Sequence, residues 1–107
     1  MADTAASTIH TLRASLNARV YRDIEILSTG TLYALAESIT RAFAFDFDHA
    51  FGFFCGEANN IFQSEVRYEL FADADSGGSS RSVKRTKIEQ ALPTVGTKMT
   101  FLFDYGD

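Results

Sequence analysis

Apolar and polar side chains alternate with a period of two in two stretches near the start of the chain. In the stretch from residue 8 to residue 16, the apolar-facing positions are His10, Leu12, Ala14 and Leu16. In the stretch from residue 20 to residue 26, the corresponding positions are Val20, Arg22, Ile24 and Ile26. Such alternation is typical of half-buried β-strands. We therefore predict an antiparallel hairpin with its turn near Asn17-Ala18.

The period then changes to that of an α-helix. Ser28-Thr29-Gly30-Thr31 is a helix start signal in which Thr31 is the predicted N-cap. The apolar stripe that follows comprises Leu32, Leu35, Ile39 and Phe43. We expect this stripe to pack across the hairpin, because the sheet needs a cover. Asp46 and Asp48, whose side chains favour turns, are expected to end the helix.

Further strands are predicted in the second half of the chain. Residues 50–55 and 66–70 have strand patterns, and residues 98–103 place Met99, Phe101 and Phe103 on one face. Residues 73–82 are small and polar, and we expect them to form a mobile loop. A capping box at residues 86–89 predicts a short helix that ends near Pro93.

These elements predict an α+β fold. An antiparallel sheet of about five strands would pack against one long helix, with a short second helix, in the β-grasp-like order ββαββαβ. The 107 residues fit a single domain, in which residues 1–7 are expected to be flexible. Ten Phe residues predict an aromatic-rich core.

Charge and cysteine content narrow the classes of function. The net charge of -4 argues against nucleic-acid binding over the whole surface, which needs a clustered basic face. The single cysteine, Cys55, excludes an internal disulfide framework. The N-terminus lacks the basic and apolar regions of a signal peptide, and no apolar run approaches the ~18 residues of a membrane span. We therefore expect a soluble cytoplasmic protein without a membrane partner.

Charged residues around the end of the helix form the main candidate site. Arg22 has the parity of the core positions in its strand, so its guanidinium either reaches water at the rim or is buried against a carboxylate. The candidate polar cluster comprises Arg22, Asp46, Asp48, His49, Asp104 and Asp107. Asp46, Asp48 and His49 carry oxygen and imidazole ligands that a divalent metal could use. Turn carboxylates more often cap backbone amides or pair with arginine, so we favour a structural network without a cofactor over a metal site.

A basic run supplies a second candidate surface. Its members are Arg81, Lys84, Arg85 and Lys87. They could contact nucleic-acid phosphates, but a solvated loop is the simpler explanation because the rest of the chain is acidic. We expect both histidines, His10 and His49, to be hydrogen-bonded structural residues and not catalytic bases.

Motifs that identify a reaction are missing from the sequence. It has no Gly-rich phosphate loop, Ser-His-Asp signature or Cys-x-x-Cys pair, so we assign no catalytic residues. A metal-dependent nuclease or hydrolase that uses the Asp and His cluster is the alternative to a non-catalytic module. The expected exposed edge strand and the aromatic surplus favour a protein partner or a homo-oligomer, formed by strand addition.

The order of motifs resembles the Ri-plasmid ORF-3-like family of bacteria and archaea, which is linked to passenger genes of insertion elements. The hairpin segment 20–26 is similar to a family segment with an aromatic residue followed by arginine. Residues 42–49, Ala-Phe-Ala-Phe-Asp-Phe-Asp-His, resemble the signature Ala-Phe-Gly-Trp-Asp-x-Asp-His. Leu92-Pro93 and residues 103–107, Phe-Asp-Tyr-Gly-Asp, resemble the family's Leu-Pro and Tyr-Asp-Phe-Gly-Asp segments.

Three departures from this pattern affect what the resemblance implies. Asp23 stands where a second arginine is common, which weakens an anion-binding role, and Phe45 replaces the usual Trp. The chain also stops where family members continue with a Trp and a further strand. We expect a fragment, a shortened member, or a protomer whose sheet edge another chain completes. The resemblance implies a fold and a mobile-element context, not a reaction.

Overall fold

The computed structural model describes residues 8–47, 50–55, 66–70 and 81–103. The helices and strands in chain order are β1 Ile9–Ser15, β2 Tyr21–Leu27, α1 Leu32–Ala42, β3 Phe51–Phe54, β4 Arg67–Glu69, β5 Arg81–Ser82, α2 Ile88–Ala91 and β6 Thr100–Phe103. The prediction of an α+β fold is confirmed. Within the described ranges, no helix combines the length and the hydrophobicity that crossing a membrane requires.

The strands form two sheets where we predicted one. β1 and β2 make a two-stranded antiparallel sheet, and the other four strands make a second sheet in the order β5-β4-β3-β6. β5 is an additional strand at the end of the predicted loop 73–82, and it pairs with β4 in parallel. A two-residue strand is too short to show alternation in the sequence. Periodicity also identifies strands without indicating which of their edges pair.

The hairpin turn forms where it was predicted, and Asn17 explains how it does so without glycine. The Asn17 Oδ1 atom accepts hydrogen bonds from the backbone N–H groups of Arg19 and Val20, at 2.8 and 3.0 Å. The Leu16 N–H donates to the Val20 carbonyl oxygen over 2.9 Å. An asparagine side chain that bonds to the backbone two and three residues ahead stabilises a turn in this way.

Helix α1 begins as predicted but ends differently. The Thr31 Oγ1 atom accepts a hydrogen bond from the Ala34 N–H over 3.1 Å, which confirms Thr31 as the N-cap. At the other end, the Phe45 N–H donates to the Thr40 carbonyl oxygen, and Ala44 has a φ of 61°. With the bond from the Ala44 N–H to the Arg41 carbonyl oxygen, this is a Schellman motif.

A backbone motif therefore ends this helix, and not, as predicted, the side chain of Asp46. Asp46 is exposed, and Asp48 lies outside the described residues. The two hydrogen bonds that close the last turn come from main-chain N–H groups, and they satisfy carbonyl groups that every helix end leaves without a partner. Alanine gives no sequence signal for this ending, because glycine is the usual residue at the left-handed position.

The first backbone N–H group of each helix donates to a carbonyl oxygen in the segment that precedes the other helix. The Leu32 N–H of α1 donates to the Thr86 carbonyl oxygen over 3.0 Å. The Ile88 N–H of α2 donates to the Gly30 carbonyl oxygen over 2.8 Å. This reciprocal pairing joins residues far apart in the chain and uses donors that a helix leaves unpaired. It places α2 beside the start of α1.

The capping box of α2 is one residue later than predicted. Lys87, not Thr86, is the N-cap, and its backbone N–H donates to the Gln90 Oε1 atom over 2.8 Å. The Thr86 hydroxyl instead donates to the Ser82 carbonyl oxygen over 2.7 Å. Thr86 therefore does not cap α2, because its hydroxyl bonds to Ser82 and its carbonyl oxygen accepts from Leu32.

The core is aromatic, as predicted from the Phe content. All four residues of β3 are buried, because both faces of this central strand are covered. The ring centroids of Phe53 and Phe101 are 4.8 Å apart, and those of Phe47 and Phe51 are 5.3 Å apart. Aromatic pairs at such distances contribute beyond the area that they bury. The core of the main sheet is thus built around β3.

Candidate binding groove

The predicted polar cluster stays a prediction, because only Arg22 and Asp46 of its members lie within the described residues. Arg22 and Asp46 are both exposed, and the described residues contain no ion pair between them. The remaining predicted members, Asp48, His49, Asp104 and Asp107, lie outside the described residues. Within the described ranges, no group of three or more His, Cys, Asp or Glu residues is placed to hold a metal ion.

Arg22 binds the end of helix α1. Its Nε atom donates to the Ala42 carbonyl oxygen over 3.2 Å, and its Nη1 atom donates to the Tyr21 carbonyl oxygen over 2.8 Å. The guanidinium carbon also lies 5.1 Å from the centroid of the Phe43 ring. Of the two interpretations of Arg22, the guanidinium at the rim is the one that this geometry fits. A cation at a helix C-terminus is favourable because the carbonyl groups there carry partial negative charge.

The basic run is exposed at every member. The exposed residues are Arg81, Lys84, Arg85 and Lys87. The Arg81 guanidinium carbon lies 5.9 Å from the Tyr68 ring centroid, and the Lys84 Nζ atom lies 5.4 Å from that of Tyr33. These distances allow cation–π interactions within the protein. The nucleic-acid contact proposed for the run from the sequence stays a prediction.

Cys55 does not have the environment of a reactive thiol. It is exposed, but partial burial raises its pKa, an effect that the charge of nearby Arg81 opposes. A nucleophilic cysteine needs a lowered pKa, because the thiolate is the reactive species.

A groove lies between the hairpin and the four-stranded sheet. Its volume is about 1020 Å³. One side is formed by β1, and the other by residues 92–99 together with β6. The apolar side chains that line it include Leu12, Ile24, Leu35, Ile39, Phe53 and Met99. Within the described residues the hairpin and the main sheet share no strand pairing, and the groove lies between them.

The groove-facing edge of β1 can be identified from its pairing with β2. The Leu16 N–H donates to the Val20 carbonyl oxygen, and the Ser28 N–H donates to the Thr8 carbonyl oxygen. In an antiparallel pair, hydrogen-bonded and non-hydrogen-bonded positions alternate. The even-numbered residues of β1 thus bond to β2. The backbone groups of the odd-numbered residues, Ile9, Thr11, Arg13 and Ser15, point away from β2.

The outer edge of β6 also follows from the alternation of hydrogen bonds between neighbouring strands. The Cys55 N–H donates to the Val66 carbonyl oxygen, so Phe53 also directs its backbone groups toward β4. Gly52 and Phe54 therefore direct theirs toward β6, where their partners are Leu102 and Thr100. The backbone groups of Phe101 point away from β3, and Phe101 also lines the groove. Among the described residues, β1 pairs with β2 alone and β6 pairs with β3 alone.

A partly buried chain of hydrogen bonds joins β1 to the opposite side of the groove. His10 lies 2.6 Å from the Ser28 Oγ atom through Nδ1 and 2.8 Å from the Leu92 carbonyl oxygen through Nε2. A carbonyl oxygen can only accept, so Nε2 donates to it, and in the neutral ring Nδ1 then accepts from Ser28. The Thr8 hydroxyl donates to the Ser28 Oγ atom over 2.8 Å.

This chain of hydrogen bonds gives His10 a structural role, as expected from its position in the strand. Ser28 is only 1% exposed, so its hydroxyl cannot reach a substrate. Although a serine next to a histidine is the arrangement of a nucleophile and its base, access excludes that chemistry here. The chain holds β1 against residue 92 and so sets the width of the groove at that point.

The two charged side chains that line the groove are both basic. Arg13 and Lys98 line it, whereas no Asp or Glu is among the residues that line it. Arg13 forms a two-point ion pair with Asp23, with N–O distances of 2.8 and 3.1 Å. This hydrogen bonding lowers the pKa of the Asp23 carboxyl. Lys98 is exposed and remains as positive charge even where Asp23 neutralises Arg13.

Comparison with protein families agrees with the motifs found in the sequence. The family model described as plasmid pRiA4b ORF-3-like protein matches residues 8–107. The chain belongs to the plasmid pRiA4b ORF-3-like family. No curated protein and no solved structure matches it. The resemblance inferred from residues 20–26, 42–49 and 92–107 is thereby confirmed.

The groove of this plasmid pRiA4b ORF-3-like domain could not be found from the sequence. Its apolar lining residues, such as Leu12 and Met99, were predicted only as the apolar faces of strands. Its polar chain depends on Ser28, which the sequence marked as part of a helix start signal. The one feature of the sequence that pointed to this polar chain was His10, which alternation places on the inner face of β1.

Proposed function

We propose that this plasmid pRiA4b ORF-3-like domain is a non-catalytic accessory or interaction module of the cytoplasm. It binds a protein partner, or a second copy of itself, through the groove between β1 and β6. The observation that carries the proposal is the outer edge of β1, which pairs with no other described strand and where the odd-numbered residues present backbone donors and acceptors beside an apolar floor. An exposed strand edge next to apolar side chains is a template for strand addition.

The proposal explains why hydrophobic surface is left open beside the core. Leu12, Ile39 and Met99 line the groove and are only half-buried. A strand placed there would cover these side chains and would pair the backbone groups of β1. Both changes are favourable, since apolar burial contributes about 25 cal/mol per Å² and edge groups gain partners.

The experiment compares two substitutions at one edge position. Thr11→Pro removes an outward N–H without breaking the β1–β2 ladder, because Thr11 does not bond to β2. Thr11→Val keeps the N–H and a β-branched side chain. Both variants and the unmodified protein are used for partner capture from cells that carry the gene and for sedimentation analysis of self-association.

We expect one defined partner, or a self-associated species, with the unmodified protein and with Thr11→Val, and its loss with Thr11→Pro. Circular dichroism should show the same fold for all three. Binding that survives Thr11→Pro would show that this edge is not the contact. If neither a partner nor self-association is found, the proposal of an interaction module is wrong.

A further inference from the structure

We infer that the groove takes an extended segment of a second protein in which apolar and acidic side chains alternate. The inference rests on the proposed function and specifies the partner that the site would recognise. The segment would lie along β1 as an added strand between β1 and β6. Its apolar side chains would face the groove floor, and its acidic side chains would face Arg13 and Lys98.

Only an extended segment can pair with the outward backbone groups of β1. The odd-numbered residues of β1 present N–H and C=O groups at every second position over a strand of seven residues. A strand of about five residues is the usual length in sheets and would pair with most of this edge. A helix has no free backbone groups in its interior with which to pair.

The side chains of β1 explain the alternation. Leu12 is half-buried and faces the groove floor with Leu35, whereas Arg13 is exposed on the opposite face. Side chains of a paired strand alternate in step with those of its neighbour. The added strand would thus place every second side chain over the floor and the others beside Arg13.

Charge selects acidic residues for the outer positions. The lining includes Arg13 and Lys98 and no carboxylate. A second copy that paired through its own β1 would bring another Arg13 to this wall and no carboxylate, because Ile9–Ser15 contains no Asp or Glu. The charge of the wall therefore favours a separate acidic partner over a homodimer.

A small apolar molecule fits this site less well than a peptide. It would cover the floor but would leave the outward N–H groups of Thr11 and Arg13 without acceptors in a site that has lost water. Burying such a group without a hydrogen-bond partner is unfavourable in proteins. A peptide backbone supplies an acceptor for each of these groups, so it recognises both the floor and the edge.

The test uses three synthetic peptides of the same length as β1, with blocked ends. The first alternates valine and glutamate, the second alternates valine and lysine, and the third is the glutamate peptide with proline at its central valine. Binding to the full chain is followed by amide NMR spectra. The variant Lys98→Glu is measured in parallel, since Lys98 is exposed and its replacement is compatible with the fold.

We expect the glutamate peptide to shift the amide signals of Thr11, Arg13 and Phe101 saturably, and to slow hydrogen exchange at Thr11 and Arg13. The lysine peptide should bind at least about tenfold more weakly, and Lys98→Glu should reduce that preference. The proline peptide should bind more weakly than its parent, because it lacks a backbone donor at its centre.

Three results of the peptide experiment would overturn the inference. They are equal binding of the glutamate and lysine peptides, shifts confined to residues away from β1 and β6, and no saturable shift by any peptide. The proposed function is tested separately by the partner lost in Thr11→Pro. If that partner is found while the peptides fail, the domain is an interaction module whose partner has a different chemistry. A self-associated species lost in the same variant would make the occupant a second copy and would also overturn the inference.

Discussion

The backbone N–H of Phe45 donates to the carbonyl oxygen of Thr40 over 2.8 Å and closes the last turn of α1. The bond requires the residue between the helix and Phe45 to be left-handed, and that residue is Ala44, with a φ of 61°. A side chain with a Cβ atom is disfavoured in this region by roughly 1–2 kcal/mol. The family signature has glycine at the corresponding position.

We predict that Ala44→Gly stabilises the protein by about 0.5–1 kcal/mol, because glycine adopts this conformation without the steric cost. Chemical denaturation measures the free energy of unfolding. The matched control is Ala42→Gly within the helix, which should destabilise by about 1 kcal/mol. A loss of stability in Ala44→Gly would show that the helix does not end in this motif.

Arg22→Met should cost about 1 kcal/mol or less. The substitution removes the hydrogen bond from Arg22 to the Ala42 carbonyl oxygen at the end of α1, but the site is exposed and water replaces the donor. Arg19→Met, in the hairpin turn, serves as the control. A cost near ~3 kcal/mol would instead indicate a carboxylate left buried and unpaired.

Ser28→Ala should destabilise by about 1 kcal/mol, because it leaves the half-buried Nδ1 nitrogen of His10 without its donor. Ser15→Ala, at an exposed position of β1, should have little effect. The His10 ring should carry its proton on Nε2 when neutral, which nitrogen chemical shifts report directly. Signals of the Nδ1–H tautomer would contradict the bond to the Leu92 carbonyl oxygen.

The Arg13–Asp23 pair predicts a measurable titration. Arg13 lowers the pKa of the Asp23 carboxyl in the folded protein, mainly by hydrogen bonding. Any stabilisation from the pair is therefore present above the unfolded-state pKa of about 3.9. It is lost as the pH falls through the lower folded-state pKa. In Arg13→Met, NMR titration should show the Asp23 pKa rising toward its ordinary value. An unchanged pKa would show that the pair does not form in solution.

Local patterns predicted the elements well. The alternation around Leu12 and Ile24 identified the hairpin, and Thr31 identified the start of α1, because both signals arise within a few residues of the chain. The prediction failed where a partner is distant in sequence. Arg22 bonds to a carbonyl group on another element, a contact that side-chain identity does not encode.

The candidate site was even less accessible to prediction. The groove depends on which strand edges remain unpaired, and alternation is the same for a paired edge and an open one. The sequence therefore placed the candidate site at residues 46–49, where charges are dense. The groove is a separate candidate site. It is identified from the backbone groups of β1 residues such as Thr11, which point away from β2.

The most direct test of the open edge is amide hydrogen exchange along β1 in the free protein. If the edge is open, the amides of Leu12 and Ala14 should exchange slowly because they bond to β2. Those of Thr11 and Arg13 should exchange much faster, which gives an alternating pattern. Protection of Thr11 and Arg13 equal to that of Leu12 would mean that the edge is already paired, and it would contradict the groove as a binding site.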